Sequence, residues 1–149
     1  MCKGFIRVTD VLSKENLIAK LSSGCKVKED WRIGTEHEKF GFKKKDLRPI
    51  TFDDIQKIFS ELCSKYKWEK IIENKKIIGL KKDATSITLE PGGQIELSGA
   101  PVKNLFETCK EVNLHQDELN AVCKNYEIEF MGIGVLPKWK LSDLKLMPK

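Results

Sequence analysis

The chain has 149 residues, of which 33% are charged and 40% hydrophobic, and its formal net charge is +5. That balance suits one globular domain with its own core and excludes a disordered chain; no apolar run approaches the roughly 20 residues of a membrane span. The lysines are dispersed, with Lys43-Lys44-Lys45 the longest basic run. No nucleic-acid partner is therefore expected, because such a partner calls for a basic stripe interleaved with aromatics, whereas a small anionic substrate is compatible.

Met1 to Asp10 place no long apolar segment behind their basic residues, so no secretory signal is expected and the setting is expected to be cytoplasmic. Ser13 can cap a helix running to about Ser22, with Leu17, Ile18 and Leu21 on its apolar side and Gly24 ending it. Trp31 to Phe42 reads as an extended strand, followed by an exposed connection through Lys43 to Pro49. Thr51 and Asp54 form a box-like start for a second helix, whose stripe is Ile55, Ile58, Phe59, Leu62, Cys63 and Tyr66. Four short extended segments follow at 68–73, 76–81, 85–90 and 95–98, separated by turn-like residues such as Asn74-Lys75 and Lys82-Asp83-Ala84. Pro101 sits where a third helix would begin, with Val102, Leu105, Phe106, Cys109, Val112, Leu119, Val122 and Cys123 on one side. Glu127 to Val135 is a last strand. The fold class is α+β: an antiparallel meander covered on one face by helices. The polar stretch Lys138 to Lys149 reads either as a loose terminus or as a cut through a longer protein, and the uncovered sheet face favours the second.

Five cysteines occur, Cys2, Cys25, Cys63, Cys109 and Cys123. None forms a C-x-x-C pair, which argues against zinc, and their odd number argues against a disulfide framework. Cys63, Cys109 and Cys123 fall at apolar positions of helical patterns and are expected to be buried and reduced.

Chemistry concentrates in two acidic segments. In Glu90-Pro91-Gly92-Gly93-Gln94-Ile95-Glu96 and its flanks, Ser86, Thr88 and Glu90 alternate with Ile87 and Leu89, while Gln94, Glu96 and Ser98 alternate with Ile95 and Leu97. Each polar triplet therefore shares a strand face. With a turn at 91–95, Glu90 is expected to face Glu96, an arrangement that repels unless a hard cation bridges it. A solvated hairpin end, or pairing with lysines, is the bland alternative. Glu36 and Glu38 are two apart on the first strand and project from one face, with His37 and Lys39 on the other. A solvated strand edge is the bland alternative here, but the bracketing Trp31, Ile33, Phe40 and Phe42 suit a central strand better, and His37 is read as a hydrogen-bonded structural residue rather than a base. No Walker-type glycine loop and no H-E-x-x-H motif occur, so phosphate would be held through metal and basic side chains. Four carboxylates on two extended segments are enough for more than one Mg²⁺ and point to phosphoryl chemistry.

Several segments resemble the glutamate–cysteine ligase family of the plant and proteobacterial type. They are Arg32 to Phe42, Leu47-Arg48-Pro49, Ile78-Gly79-Leu80, Leu89 to Pro101, Thr108 to Asn113, Gly132-Ile133-Gly134, Pro137-Lys138-Trp139 and Met147-Pro148-Lys149, in the family's order. The resemblance implies a glutamine-synthetase-like catalytic fold, of which residues 1–149 would be the amino-terminal part of a single domain, the remainder being absent. It implies that ATP phosphorylates the γ-carboxylate of L-glutamate and that the amine of L-cysteine attacks the acyl phosphate, giving γ-glutamylcysteine, the first step of glutathione biosynthesis. By motif, Glu36, Glu38, Glu90 and Glu96 would be the catalytic, Mg²⁺-binding set, with Gln94 and Ser98 shaping the substrate site. In the plant branch a cysteine at the position of Cys109 joins a redox disulfide whose partner would lie outside this chain. The piece alone is expected to be inactive and to need the missing carboxy-terminal part, supplied in trans. Two alternatives share the same cluster: a related carboxylate–amine ligase, and a non-catalytic metal- or nucleotide-binding remnant.

Overall fold

The structure is a computed structural model that describes residues 11–136 and 138–148. The chain divides into two compact units, Met1–Trp31 and Arg32–Lys149. In the first, helix α1 (Lys14–Ser22) starts at Ser13, whose side chain accepts from the Asn16 N–H while Asn16 answers with its own side chain, a capping box. The apolar side expected for this helix is present but not buried: Leu17 and Ile18 are half exposed and Leu21 more so.

The second unit is a sheet with two helices on one face. Strand β1 (Glu36–Lys43) is followed by helix α2 (Phe52–Tyr66). Strands β2 (Glu69–Glu73), β3 (Lys76–Lys82), β4 (Thr85–Leu89) and β5 (Gln94–Ser98) come next, then helix α3 (Leu105–Cys123) and strand β6 (Ile128–Met131). All pairings are antiparallel, and the six strands lie in the order β2-β3-β4-β5-β1-β6. The expected meander is therefore only partly correct. Strands β2 to β5 do form one, but β1, first in sequence, is inserted between β5 and β6. That insertion makes β1 a central strand, as its bracketing aromatics suggested.

Local chemistry explains the elements. Thr51 caps α2 by accepting from the Asp54 N–H, and Asp54 returns a bond to the Thr51 N–H. Lys43 adds an ion pair to Asp54 at 2.8 Å. Asn74 and Lys75 both take positive φ, the backbone of a two-residue hairpin turn whose twist matches its strands. Ile55, Ile58, Phe59 and Leu62 of α2 are buried with Leu119 and Val122 of α3 against Leu80, Ile87, Leu89, Ile95 and Leu97 of the sheet. Each such side chain stabilises the fold by roughly 1.5–3 kcal/mol.

Four expectations are corrected. Arg32 to Thr35 do not continue β1; Ile33 instead makes an isolated bridge with Val102, and this extended pairing keeps Pro101-Val102 out of α3. Helix α3 begins only after Asn104, whose side chain accepts from the Glu107 N–H. At the start of α3 Leu105, Phe106 and Cys109 are exposed rather than buried, and packing on the core begins near Val112; of the three helical cysteines only Cys123 is buried. Burial pushes the Cys123 thiol up to about 12, with the Glu61 carboxylate adding to it, so it behaves as an inert core residue. Strand β6 ends at Met131, where the Ile133 N–H turns back onto the Met131 carbonyl, so it does not reach Val135. No helix among the described residues is long and apolar enough to cross a membrane.

Candidate functional site

The sheet face away from the helices carries the acidic residues, and strand register places them. Glu38 of β1 lies directly opposite Glu96 of β5, which lies opposite Thr88 of β4. One step along, Glu36, Ser98 and Ser86 form a second row. On the other side, Phe40 lies opposite Gln94, and Gln94 meets Glu90 through the Glu90 N–H to Gln94 carbonyl bond at 2.8 Å. All six residues singled out from the sequence, Glu36, Glu38, Glu90, Gln94, Glu96 and Ser98, thus share one face.

The hairpin register differs from the expected one by two residues. Glu90 faces Gln94, and the carboxylate opposite Glu96 is Glu38 rather than Glu90. The reason is the turn. The Gly93 N–H bonds the Glu90 carbonyl at 2.9 Å, and Gly93 takes φ +87°, so Pro91-Gly92-Gly93 close a three-residue loop. Only a residue without a side chain enters that conformation cheaply. A shift of two preserves strand parity, so every side chain stays on its expected face.

Three of the four carboxylates are oriented by a neighbour. Ser98 Oγ donates to Glu96 Oε1 at 2.8 Å, Thr88 Oγ1 to Glu90 Oε1 at 3.2 Å, and Gln94 Nε2 to Glu38 Oε2 at 3.5 Å. Among the described residues, Glu36, Glu38 and Glu96 have no lysine or arginine within ion-pair distance. Lysine pairing, one bland alternative for the Glu90–Glu96 hairpin, is thus not found at Glu96 among the described residues. Residues directly opposite on antiparallel strands have Cβ atoms about 4.5–5.5 Å apart, and like charges there repel. The donor set suits a hard divalent cation, which prefers carboxylate oxygens. Among the described residues, no three His, Cys, Asp or Glu side chains are drawn close enough to hold a metal by themselves.

The other parity of β1 points into the protein. Lys39 is fully buried, donating from Nζ to the His37 carbonyl at 3.1 Å, and burial lowers its ammonium to about 8. His37 was expected to be hydrogen-bonded, yet its Nδ1 is buried without a partner. Burial and the Lys39 charge lower its pKa. His115 of α3 is buried with both ring nitrogens unpartnered, and burial, then Lys39, then His37 bring it down to about 3. Lys39 and His115 pack the back of the wall, whereas half-buried His37 lines a pocket beside Glu36 and Glu38 at the start of β1.

Sequence reasoning missed the segment after β6. Trp139 meets Phe40 edge-to-face at 5.6 Å and donates from Nε1 to the Leu47 carbonyl at 2.7 Å. The Met147 N–H bonds the Pro91 carbonyl at 3.0 Å, bracing the turn that carries Glu90. The parity of Phe40, shared with Glu36 and Glu38, was the one available signal that an aromatic continues the polar face.

The model of glutamate-cysteine ligase family 2 (GCS2) matches residues 32–149. The chain belongs to that family. The match covers every element of the second unit, including both acidic segments, and bears out the resemblance read from the motifs. Among curated relatives, glutamate–cysteine ligase A of Oryza sativa subsp. japonica is 54% identical over 144 residues, which is 97% of this chain and 29% of the relative. The glutamate–cysteine ligase of Arabidopsis thaliana is 52% identical over 141 residues, 95% of this chain and 27% of the relative. That of Solanum lycopersicum is 53% identical over 138 residues. The chain thus spans less than a third of the length of the family members it matches. These relatives are named chloroplastic, which overturns the cytoplasmic setting expected from the sequence. The composition of Met1 to Asp10, on which that expectation rested, does not separate cytoplasm from plastid.

Proposed function

We propose that this chain supplies the metal- and phosphate-binding wall of a plastid glutamate–cysteine ligase, which joins L-glutamate to L-cysteine at the cost of ATP in the first step of glutathione biosynthesis. The observation that carries the reading is Glu38 directly opposite Glu96, with Glu36 and Glu90 on the same face, inside the segment that matches the family. Glu36, Glu38, Glu90 and Glu96 would hold Mg²⁺, which when bound supplies neutralisation and alignment of the transferring phosphate. The chain's own polar residues set the donors. Ser98 fixes one oxygen of Glu96 and leaves the other for a ligand, Thr88 does the same for Glu90, and Gln94 steadies Glu38 while presenting a polar edge to substrate.

Such a reaction places the γ-phosphoryl of ATP on the γ-carboxylate of glutamate and releases ADP. The cysteine amine then displaces phosphate, forming the amide. It depends on positioning and electrostatic stabilisation more than on an acid–base pair, and the face accordingly offers carboxylates, amide and hydroxyls rather than a histidine. A single open wall does not keep water from an acyl phosphate, so turnover is assigned to the longer assembly, with a glutamine-synthetase-like fold completed by further chain.

The test is a chimera in which these 149 residues replace the matching segment of the rice ligase. It is expected to form γ-glutamylcysteine, detected by mass, and the Glu96→Gln form is expected to lose kcat by at least about a hundredfold, the loss typical of removing one electrostatic stabiliser. A chimera that makes product equally well with Glu96→Gln rules the role out. Coupling of a different amine in preference to cysteine would assign the same wall to a related carboxylate–amine ligase.

A further inference from the structure

We infer that the helix-covered side of the sheet carries a second small-molecule site, a cavity between α3 and the β3–β4 hairpin that fits an apolar α-amino acid in its zwitterionic form. The cavity has a volume of about 280 Å³, just below the roughly 300 Å³ at which typical ligand pockets begin, so its guest is small. Leu97 of β5 lines it. Leu97 has the opposite parity to Glu96 and Ser98, so the cavity and the acidic wall lie on opposite faces of the sheet. Trp68 closes a second side, and Lys110, Glu111, Leu114 and His115 line it from α3. Nothing in the reaction proposed for the wall uses this cavity.

Two groups in the lining have buried polar atoms without hydrogen-bond partners. His115 is 3% exposed, and neither ring nitrogen is bonded. Burial, then Lys39 and His37, lower it to about 3, so at neutral pH it offers one N–H and one bare nitrogen. Glu111 lies four residues earlier, one turn away on the same helix face. Its Oε1 accepts from Thr85 Oγ1 at 3.0 Å and from the Ala100 N–H at 2.8 Å, but its Oε2 is buried with no donor. A buried acceptor left unmade is costly, more so when charged, so the pair calls for a guest that donates. A primary ammonium has three donors and forms the stronger, charge-assisted bond, and it can serve Glu111 Oε2 and the bare His115 nitrogen together. The His115 N–H is then open to an acceptor. Lys110 at the rim, exposed and without an ion pair among the described residues, is open to an anion. A carboxylate answers both. Glu118 does not compete, because its oxygens already accept from Trp68 Nε1 at 2.7 Å and Lys82 Nζ at 3.5 Å. A metal ion is the poorer guest, since no three His, Cys, Asp or Glu side chains converge on one among the described residues. Trp68, Leu97 and Leu114 supply apolar surface. An α-amino acid carries the ammonium, the carboxylate and an apolar side chain on one carbon.

Calorimetric titration of this chain with L-leucine, with 4-methylpentanoate, which lacks the ammonium, and with L-leucinamide, which lacks the carboxylate, tests the assignment. Leucine is expected to bind at least about tenfold tighter than 4-methylpentanoate, the worth of one hydrogen bond to a charged group. Lys110→Gln, at an exposed position, is expected to weaken leucine about two- to fivefold, the range of a surface ion pair, and to leave leucinamide unchanged. Glu111→Gln keeps an oxygen for Thr85 and Ala100 and is expected to abolish the preference for leucine over 4-methylpentanoate. The ring ¹⁵N resonances of His115, assigned by their loss in His115→Leu, are expected to shift with leucine over the same concentration range as the heat. No heat with leucine, or equal affinity for leucine and 4-methylpentanoate, would overturn the site. Heat without a change at His115 would overturn it too, by placing the guest elsewhere, and a Lys110→Gln loss shared by leucinamide would overturn the carboxylate assignment. None of these outcomes touches the acidic wall, whose residues face the other way.

Discussion

Replacing Glu96 by Gln should make the chain more stable without metal and less stable with it. Glu96 and Glu38 sit directly opposite on antiparallel strands, with no cationic side chain at either among the described residues. A like-charged pair in that position costs about 0.2–1 kcal/mol. Glutamine is isosteric and keeps an oxygen to accept from Ser98 Oγ, so removal of the charge is the main change. In metal-free buffer the variant should therefore unfold a few degrees higher, since about 1 kcal/mol moves Tm by roughly 2–4 °C in a domain near this size. Mg²⁺ at a hundred times its dissociation constant stabilises a protein that binds it only when folded by about 2.7 kcal/mol. The wild type should gain that increment and the variant little of it, so the order of the two melting temperatures reverses. Thermal unfolding followed by circular dichroism, with KCl matching the ionic strength of each Mg²⁺ point, separates binding from general screening. A variant less stable than the wild type in metal-free buffer, or equal Mg²⁺ shifts in both proteins, would refute the reasoning.

Other outcomes follow from groups around the wall. His115 is held neutral in the fold down to about pH 3, whereas the unfolded chain takes up its proton below about 6.5, so its contribution to stability is complete above pH 6.5 and is lost as the pH falls. Between pH 8 and pH 5 that loss is about 2 kcal/mol, and urea unfolding of His115→Leu at the two pH values should show the variant gaining that much relative to wild type. Lys39, lowered to about 8, acts in the opposite pH range: the unfolded chain holds a proton that the fold releases, so stability should rise between pH 8 and 10.5, and Lys39→Met should flatten the rise. Gly93→Ala forces a side chain into φ +87° against the Met147 side chain and should cost about 1–3 kcal/mol in urea unfolding. Phe59→Ala, at a fully buried position, should cost about 3–5 kcal/mol, whereas Phe106→Ala at 87% exposure should stay within about 0.5 kcal/mol.

Strand parity made the face of the site legible from residue order alone. Glu36 with Glu38, and Gln94 with Glu96 and Ser98, could share a face in only one way once the segments were read as extended, and a two-residue error in the hairpin left that intact. The partner of Glu96 was not legible, because it lies in β1, some sixty residues earlier in the chain, and no local pattern says that β1 inserts beside β5. The turn itself allowed more than one length until Gly93 was seen to adopt positive φ. The spacing of Leu105, Phe106 and Cys109 is helical and apolar, but periodicity cannot say which turns of a helix pack on the core. Lys39 carried a signal that ran against its chemistry: its parity sent it to the core side, and the structure buries it there. The approach of Trp139 to Phe40 is a contact across nearly a hundred residues, set by tertiary packing.

The most direct test of the acidic wall is electron paramagnetic resonance of Mn²⁺, as a Mg²⁺ surrogate, added to this chain with ATP. The account predicts bound Mn²⁺ with carboxylate ligation and hyperfine coupling to nucleotide phosphorus, both lost when Glu38 and Glu96 are changed together to Gln. Mn²⁺ that binds the doubly substituted chain as tightly, with the same phosphorus coupling, would contradict it.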